Sequence, residues 1–332
     1  MAIAINGLGR IGKLVLRALV DRGRGGEIVL VNDPAGDPGQ HALLLEFDTV
    51  HGRWPARFAH DADGLTVNGH RMRFTQARRI EDLPLDGVDL VIDCTGAFKT
   101  AARIEPYFAA GVSRVVVSAP VRDGGALNVV YGVNHDLYDP ARHRIVTGAS
   151  CTTNCLAPVV KVLHAGLGIR PGSITPIHDV TNTQTIVDRP AKDARRARSA
   201  LNSLIPTSTG SATAIGLIFP ELAGRLDGHA VRVPLLNASL TDCVFEMTRP
   251  TTVDEVNALF RAAAAGALSG ILGVEDRPLV SADYLNDPRS SIVDGPSTMV
   301  VGGTQVKIYA WYDNEWAYAL RIADIAAMVS AT

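Results

Sequence analysis

The chain has 332 residues, 47% of them hydrophobic and 20% charged. That composition excludes a disordered protein and gives room for about two domains, each with its own core. A formal net charge of −2 offers no attraction to nucleic acid or to an anionic membrane surface, so neither is expected as a partner.

No apolar run approaches the roughly 18 residues that cross a bilayer. Met1-Ala2-Ile3-Ala4-Ile5 leads into a glycine-rich turn without the charged-then-apolar layout of an export signal. A soluble, cytoplasmic protein is expected. Cys94, Cys151, Cys155 and Cys243 are too sparse for a disulfide framework, and none has zinc-ligand spacing; the expectation is reduced thiols and no metal site.

In chain order, residues 2–6 read as a strand, 10–21 as a helix and 28–32 as a second strand. Residues 66–74 read as a hairpin around Asn68-Gly69, a pair suited to its left-handed turn. Short β-branched runs at 90–94, 115–118 and 145–147, with a helix near 100–110, complete the pattern of a parallel sheet covered by helices. After Ser150 the pattern changes. A helix over 152–165, in which Pro158 must sit early or bend it, precedes a run at 173–180. Longer alternating strands follow at 229–235, 239–248, 298–301 and 305–311, with helices over 252–265 and from about 315 to 328. The expected class is α/β: a Rossmann-type, mostly parallel sheet domain plus an α+β domain with a mostly antiparallel sheet, divided near Ser150.

Gly7-Leu8-Gly9-Arg10-Ile11-Gly12 is a G-x-G-x-x-G that follows a strand and opens a helix. Its glycines allow a tight turn, close approach of backbone to a pyrophosphate, and close helix–strand packing. Read alone the motif is a weak signal, since a structural tight turn is also compatible with it. Its context adds Asn32-Asp33 at the end of the second strand, about 20 residues after the last glycine. A carboxylate there accepts hydrogen bonds from ribose hydroxyls and repels a 2′-phosphate, which favours NAD over NADP.

Ala149-Ser150-Cys151-Thr152-Thr153-Asn154-Cys155 places a cysteine at a helix start, where the positive end of the helix favours the reactive thiolate. Cys155, one turn on, reads as a buried small hydrophobe, and Cys151 alone reads as that equally well. A cysteine nucleophile needs a basic or cationic partner. His178, inside Ile177-His178-Asp179-Val180-Thr181, leads the nine histidines; His51, His135 and His164 are not excluded by pattern.

Together these segments resemble glyceraldehyde-3-phosphate dehydrogenase. The resemblance includes Ser150-Cys151-Thr152-Thr153-Asn154-Cys155-Leu156-Ala157-Pro158, Val231-Arg232-Val233-Pro234 and Trp311-Tyr312-Asp313-Asn314-Glu315, and it runs from Ile5 to the C-terminal helix. It implies that Cys151 attacks an aldehyde carbonyl and that His178 takes the proton. Hydride then passes to NAD, and inorganic phosphate cleaves the resulting thioester. It implies substrate-phosphate contacts from Thr181, Thr183 and Arg232, with Arg198 a further anion ligand and Arg195 shaping the same positive region. Ser150, Thr152, Thr209 and Gly210 match groups around the inorganic phosphate. For the cofactor it implies Gly7, Gly9, Arg10, Ile11, Gly12, Asp33, Arg78 and Ser118, with Asn314 holding the nicotinamide amide and Tyr318 flanking the ring. The implied domains are 1–150, the NAD-binding domain completed by a C-terminal helix at 315–332, and 151–314, the catalytic domain. A homotetramer is expected, with the loop 179–204 of one copy lining a neighbour's cofactor site.

Several positions depart from the family's common pattern. Asp179 follows the histidine where small or hydroxyl residues are usual, and either raises the pKa of His178 or faces away. Ala317 replaces a glycine, Thr213 stands where glycolytic members often carry lysine, and Arg189 would attract the extra phosphate of NADP. These, with the segments 48–54 and 211–215, are similar to a branch associated with arsenate resistance, in which arsenate takes the place of phosphate. Two other readings are weighed: erythrose-4-phosphate dehydrogenase, whose acyl-enzyme is hydrolysed, and an idle NAD-binding regulatory protein.

Overall fold

A computed structural model describes residues 1–331. They divide into two units, one comprising 1–131, 135–150 and 318–331, the other 132–134 and 151–317.

The first unit is built on β1 (Ile3–Asn6), β2 (Ile28–Asn32), β3 (Phe47–Asp48), β4 (Gly52–Arg53), β5 (Phe58–His60), β6 (Gly64–Val67), β7 (His70–Thr75), β8 (Leu90–Asp93), β9 (Arg114–Val117), β10 (Leu127–Asn128) and β11 (Ile145–Thr147). Nine of these form one sheet in the order β10-β11-β9-β8-β1-β2-β7-β6-β5, and β3 pairs with β4 in a separate ribbon. Every pair from β10 to β7 is parallel; the β5-β6-β7 end is antiparallel. The central strands are buried along their whole length, as a sheet covered on both faces requires, and this is why they read as continuous apolar runs. Helices α1 (Arg10–Asp21), α2 (Pro38–Glu46) and α3 (Ala101–Ala109) connect them. Asn68 and Gly69 take φ of 51° and 88°, the left-handed pair the hairpin needs. Chain order reverses at β1, which lies between β2 and β8. Ligands of open parallel sheets bind at the carboxyl ends of strands at such a point.

The second unit contains α4 (Cys151–Leu167), β12 (Ile169–His178), β13 (Ile205–Ser208), α5 (Ser211–Ile218), β14 (Leu226–Arg232), β15 (Ser239–Met247), α6 (Val253–Ala265), β16 (Leu272–Glu275), β17 (Ser291–Asp294), β18 (Met299–Val301) and β19 (Gln305–Tyr312). Its sheet runs β13-β14-β12-β15-β19-β17-β16, with β18 also on β19. Most pairs are antiparallel, but β12 with β14 and β16 with β17 are parallel, so the sheet is mixed. Residues of β15 and β19 alternate between buried and half-buried, the period-2 signature of strands with one face on a core. That core takes Cys155, Leu156, Val159, Val160 and Leu163 from α4. Pro158 lies inside α4 and removes the N–H that would reach the carbonyl of Asn154. The last helix, α7 (Trp316–Ser330), begins in the second unit and belongs to the first from Tyr318 onward.

One strand differs in register from the sequence reading. The run expected at 229–235 lies at Leu226–Arg232. Gly228 packs so tightly on β12 that a Cβ there would stand 1.8 Å from the carbonyl oxygen of Ile174, and Pro234 has no N–H for a ladder.

Candidate active site

The glycine turn joins β1 to α1. Gly7 has φ of +94°, and a Cβ on it would meet the Cys94 backbone at 2.8 Å. A Cβ on Gly12 would lie 1.8 Å from the carbonyl oxygen of Gly7, whereas one on Gly9 would meet nothing within 4 Å. Two glycines therefore permit packing and the third leaves open space at the start of α1. The Asp33 carboxylate, at the end of β2, accepts from Leu8 N at 2.9 Å and from Ala35 N at 3.0 Å, which ties the turn to the strand end. A cleft of about 300 Å³ is lined by Gly7, Gly9, Asp33, Arg78 and Phe98, among others.

Bare backbone at a helix N-terminus, an open Gly9 and a carboxylate at the second strand end fit a dinucleotide. Arg10 turns its guanidinium to Asp48, 2.6 Å away, and Ile11 is half-buried in the first turn of α1. Ser118 hydrogen-bonds Cys94, and Tyr318 donates its hydroxyl to the Ala149 carbonyl at 3.1 Å. Lys13, which the sequence reading passed over, donates to the Leu8 carbonyl of the same turn.

In the second unit, one end of the sheet gathers the reactive groups. His178 ends β12 and pairs in register with Arg232, the last residue of the parallel neighbour β14. Ser239, the first residue of β15, pairs with Tyr312, the last of β19. Cys151 opens α4, with its Sγ 3.6 Å from His178 Nε2. Thr152 Oγ1 bonds the Tyr312 hydroxyl at 3.0 Å; period-2 alternation puts Tyr312 on the buried face with Ile308 and Ala310. Burial pushes the thiols of Cys94 and Cys155 up to about 12 and that of Cys243 well above its ordinary value, so those three are not nucleophiles. Cys151 is half-exposed and stands beside an imidazole.

Asp179 faces the histidine. Its Oδ1 lies 2.6 Å from His178 Nδ1, its Oδ2 accepts from Asn314 Nδ2 at 2.8 Å, and the side chain is fully buried. Ser239 Oγ donates to Asn314 Oδ1 at 3.0 Å. Burial opposes a charge on His178, but hydrogen bonds to Asp179 and Cys151 outweigh it and raise its pKa to about 9. Burial also pushes Asp179 up, in competition with His178 for one proton. The proton belongs on the imidazole, because the carboxylate already accepts from the Asn314 amide.

Arg232 Nη1 stands 2.6 Å from the same Nδ1 and 2.8 Å from the Asp179 carbonyl. One ring nitrogen cannot both donate to Asp179 and accept from Arg232. With the proton on Nδ1, the guanidinium bonds the carbonyl. Its Nε is buried without a hydrogen-bond partner among the described residues, a donor left for an anion.

The remaining anion candidates lie on loops. Thr181 and Thr183 are exposed, with their hydroxyls 2.9 Å apart. Thr209 Oγ1 accepts from Ser211 N at 3.2 Å, and Gly210 precedes α5. Ser150 is half-exposed at the residue before Cys151. Arg195 bonds Asp193 through its backbone N, and Arg198 pairs with Asp188 at 2.7 Å. The structure thus brings Cys151, Thr152, His178, Arg232 and Asn314 into one cluster, and shows no bond from Arg195 or Arg198 to it among the described residues. Of the other histidines, His164 Nδ1 accepts from Ile169 N and His135 packs on Tyr131. Tyr312 was missed by sequence reasoning, although its strand-end position was an available signal; the direction of Asp179 was left open between facing His178 and facing away, and it faces His178.

Comparison with known proteins adds the family. Residues 1–101 match the family model described as the NAD binding domain of glyceraldehyde 3-phosphate dehydrogenase, and residues 150–314 match that of its C-terminal domain. A Nostoc protein, glyceraldehyde-3-phosphate dehydrogenase 3, is 58% identical over 99% of this chain and 98% of its own length. Glyceraldehyde-3-phosphate dehydrogenases of Pseudomonas aeruginosa and Cereibacter sphaeroides are each 49% identical, over 99% and 98% of this chain and 98% and 97% of their own lengths. With both halves matched and the cysteine–histidine pair in place, the chain belongs to the glyceraldehyde-3-phosphate dehydrogenase family.

Proposed function

We propose that the chain oxidises D-glyceraldehyde 3-phosphate with NAD and inorganic phosphate to 1,3-bisphosphoglycerate, through a thioester on Cys151. The observation that carries this reading is the Cys151 sulfur 3.6 Å from His178 Nε2 at the first residue of α4. Arg232, with its unpartnered Nε, and the hydroxyls of Thr181 and Thr183 hold the substrate's phosphate. The thiolate adds to the aldehyde carbon, and the imidazolium at Nε2 gives its proton to the carbonyl oxygen. The glycine turn and Asp33 would hold NAD, with Asn314 for its amide and Tyr318 for its ring, and the bound cofactor would supply the hydride acceptor. As the thiohemiacetal is oxidised, His178 Nε2 takes the hydroxyl proton back and a thioester remains on Cys151. Inorganic phosphate, held by Ser150, Thr152, Thr209 and Gly210, with Arg198 a further anion ligand and Arg195 shaping the same positive region, attacks that carbon and returns the sulfur as thiolate.

Arsenate is a near-isostere of phosphate and meets the same donors, giving 1-arseno-3-phosphoglycerate. Initial rates with phosphate and with arsenate, each with NAD and then NADP, separate a glycolytic role from an arsenate-handling one. A steady state independent of phosphate would favour an erythrose-4-phosphate dehydrogenase type of reaction, and no turnover at all would favour a regulatory NAD binder. Cys151→Ser abolishes NADH production from glyceraldehyde 3-phosphate while leaving NAD binding intact; turnover at the parent rate in that variant removes Cys151 from the reaction. The working form is a cytoplasmic homotetramer. Ile186, Val187, Leu201 and Leu204, each about two-thirds or more exposed on the loop 179–204, support burial against another copy, which sedimentation tests. Four free cysteines suit a reducing compartment.

A further inference from the structure

We infer that Asp179 is a positioning residue that makes the base and the amide holder one unit, its Oδ1 fixing the imidazole of His178 and its Oδ2 fixing the side-chain amide of Asn314. The inference rests on the proposed function for the roles of His178 and Asn314. Its own basis is geometric. A carboxylate with no exposed surface is expensive unless every lone pair is used. Asp179 spends one oxygen on His178 Nδ1 at 2.6 Å and the other on Asn314 Nδ2 at 2.8 Å.

Ser239 closes the network. Its hydroxyl accepts from Asp179 N at 3.2 Å and lies 3.0 Å from Asn314 Oδ1 and 3.3 Å from Asp179 Oδ1, while the carboxylate at 2.8 Å requires the amide to present its N–H, Nδ2, on that side. With Nδ1–H bound to the carboxylate, Nε2 is the nitrogen left to face the Cys151 sulfur. The groups around the imidazole are few. Cys151 faces it from α4, Arg232 from β14 and the edge of the Tyr312 ring from β19. Burial holds the Tyr312 phenol neutral, and the Arg232 charge works against an imidazolium. Glu315 adds negative charge near Asp179. Of the side chains in direct contact with the ring other than Cys151, that of Asp179 is the one that favours its charged form; the Asp179 backbone carbonyl, 2.9 Å from Nδ1, is kept in every variant.

The test is the pH profile of Cys151 alkylation by iodoacetamide in the full-length protein, together with Kd for NAD. In the parent, loss of the His178 proton removes the positive charge beside the sulfur, so the rate changes in a step near pH 9. Asp179→Asn keeps the shape but offers one acceptor oxygen for two N–H partners. The upper inflection moves down by about one unit or more, as expected for removing a charge at this distance. Asp179→Ser does the same and provides the measurement if the amide variant does not fold. The Kd for NAD rises in both, because Asn314 loses its acceptor, while Asp33 and the glycine turn are untouched. An inflection left at its parent position in a folded variant overturns the proposal, as does an unchanged NAD affinity. Alkylation needs no aldehyde. A shifted inflection in a protein inactive on glyceraldehyde 3-phosphate would support the coupling and refute only the substrate.

Discussion

The glycine turn before α1 is made by backbone, and the Cys151–His178 cluster is made by side chains. The turn draws on six consecutive residues, Gly7 to Gly12, and its shape is enforced by what a single Cβ would strike. The cluster joins residues separated by 27 positions for Cys151 and His178, 54 for His178 and Arg232, 135 for Asp179 and Asn314, and 160 for Thr152 and Tyr312. None of those separations is fixed by local geometry. They are fixed by the register of β12, β14, β15 and β19, neighbouring strands whose ends meet at one end of the sheet. A backbone site is therefore brittle to single methyl groups, and a side-chain site is graded.

The sharpest way to break that contrast is at the glycines. Gly12→Ala drives a Cβ to 1.8 Å from the carbonyl oxygen of Gly7, which is backbone and cannot rotate away. A loss of more than about 3 kcal/mol is expected, with the protein unfolding at far lower denaturant. Gly9→Ala meets nothing within 4 Å, so its melting temperature should match the parent. Its affinity for NAD should fall about tenfold or more, because the methyl occupies the space a pyrophosphate needs. Equal melting temperatures for the two variants would show that Gly12 is not a packing residue.

Next in size is His178. His178→Asn should lower NADH formation by about 10² to 10⁴-fold. Its pH dependence tests the buried pair. The folded-state pKa, raised to about 9 from an ordinary 6.5, means the native protein binds that proton more tightly than the unfolded chain. The stabilisation is full below about pH 6.5 and is lost as the pH rises through 9. The parent's melting temperature should fall over that window and that of His178→Asn should fall less. Parallel curves would mean that His178 is uncharged in the folded state.

The same contrast explains what sequence reading reached. β1, α1, β2 and the Asn68-Gly69 hairpin are legible because local chemistry dictates them: buried alternation or continuous apolar runs, a glycine turn, a left-handed pair. Helix α2 is not legible. Its Leu43 and Leu44 are more than half exposed while His41 and Ala42 are buried, so its apolar residues do not mark one face. Helix α5, Ser-Ala-Thr-Ala-Ile-Gly-Leu-Ile, carries β-branched residues and a glycine that disguise it. Strands β13, β16 and β17 are four residues each, too short for periodicity to register. At the site, Cys151 and His178 stand out by residue type and motif. The direction of Asp179 does not, because a residue just beyond a strand end turns inward or outward according to partners that lie 60 and 135 residues away.

The smallest effect expected is at Arg198, and it bears on where the side-chain cluster ends. Its guanidinium pairs with Asp188 at 2.7 Å, but the two side chains are 70% and 57% exposed, so the pair is screened and adds little to the fold. Arg198→Ala should leave the melting temperature where it is. If the guanidinium leaves Asp188 for an incoming anion, the variant should raise the KM for phosphate without changing the KM for NAD. Asp188→Ala should lower the KM for phosphate, most clearly at low ionic strength, by releasing the arginine. A phosphate KM that neither substitution moves, at low salt or high, would take Arg198 out of the anion site. Arg232, whose buried Nε has no hydrogen-bond partner among the described residues, would then be the outermost of the predicted arginines with a place in the cluster.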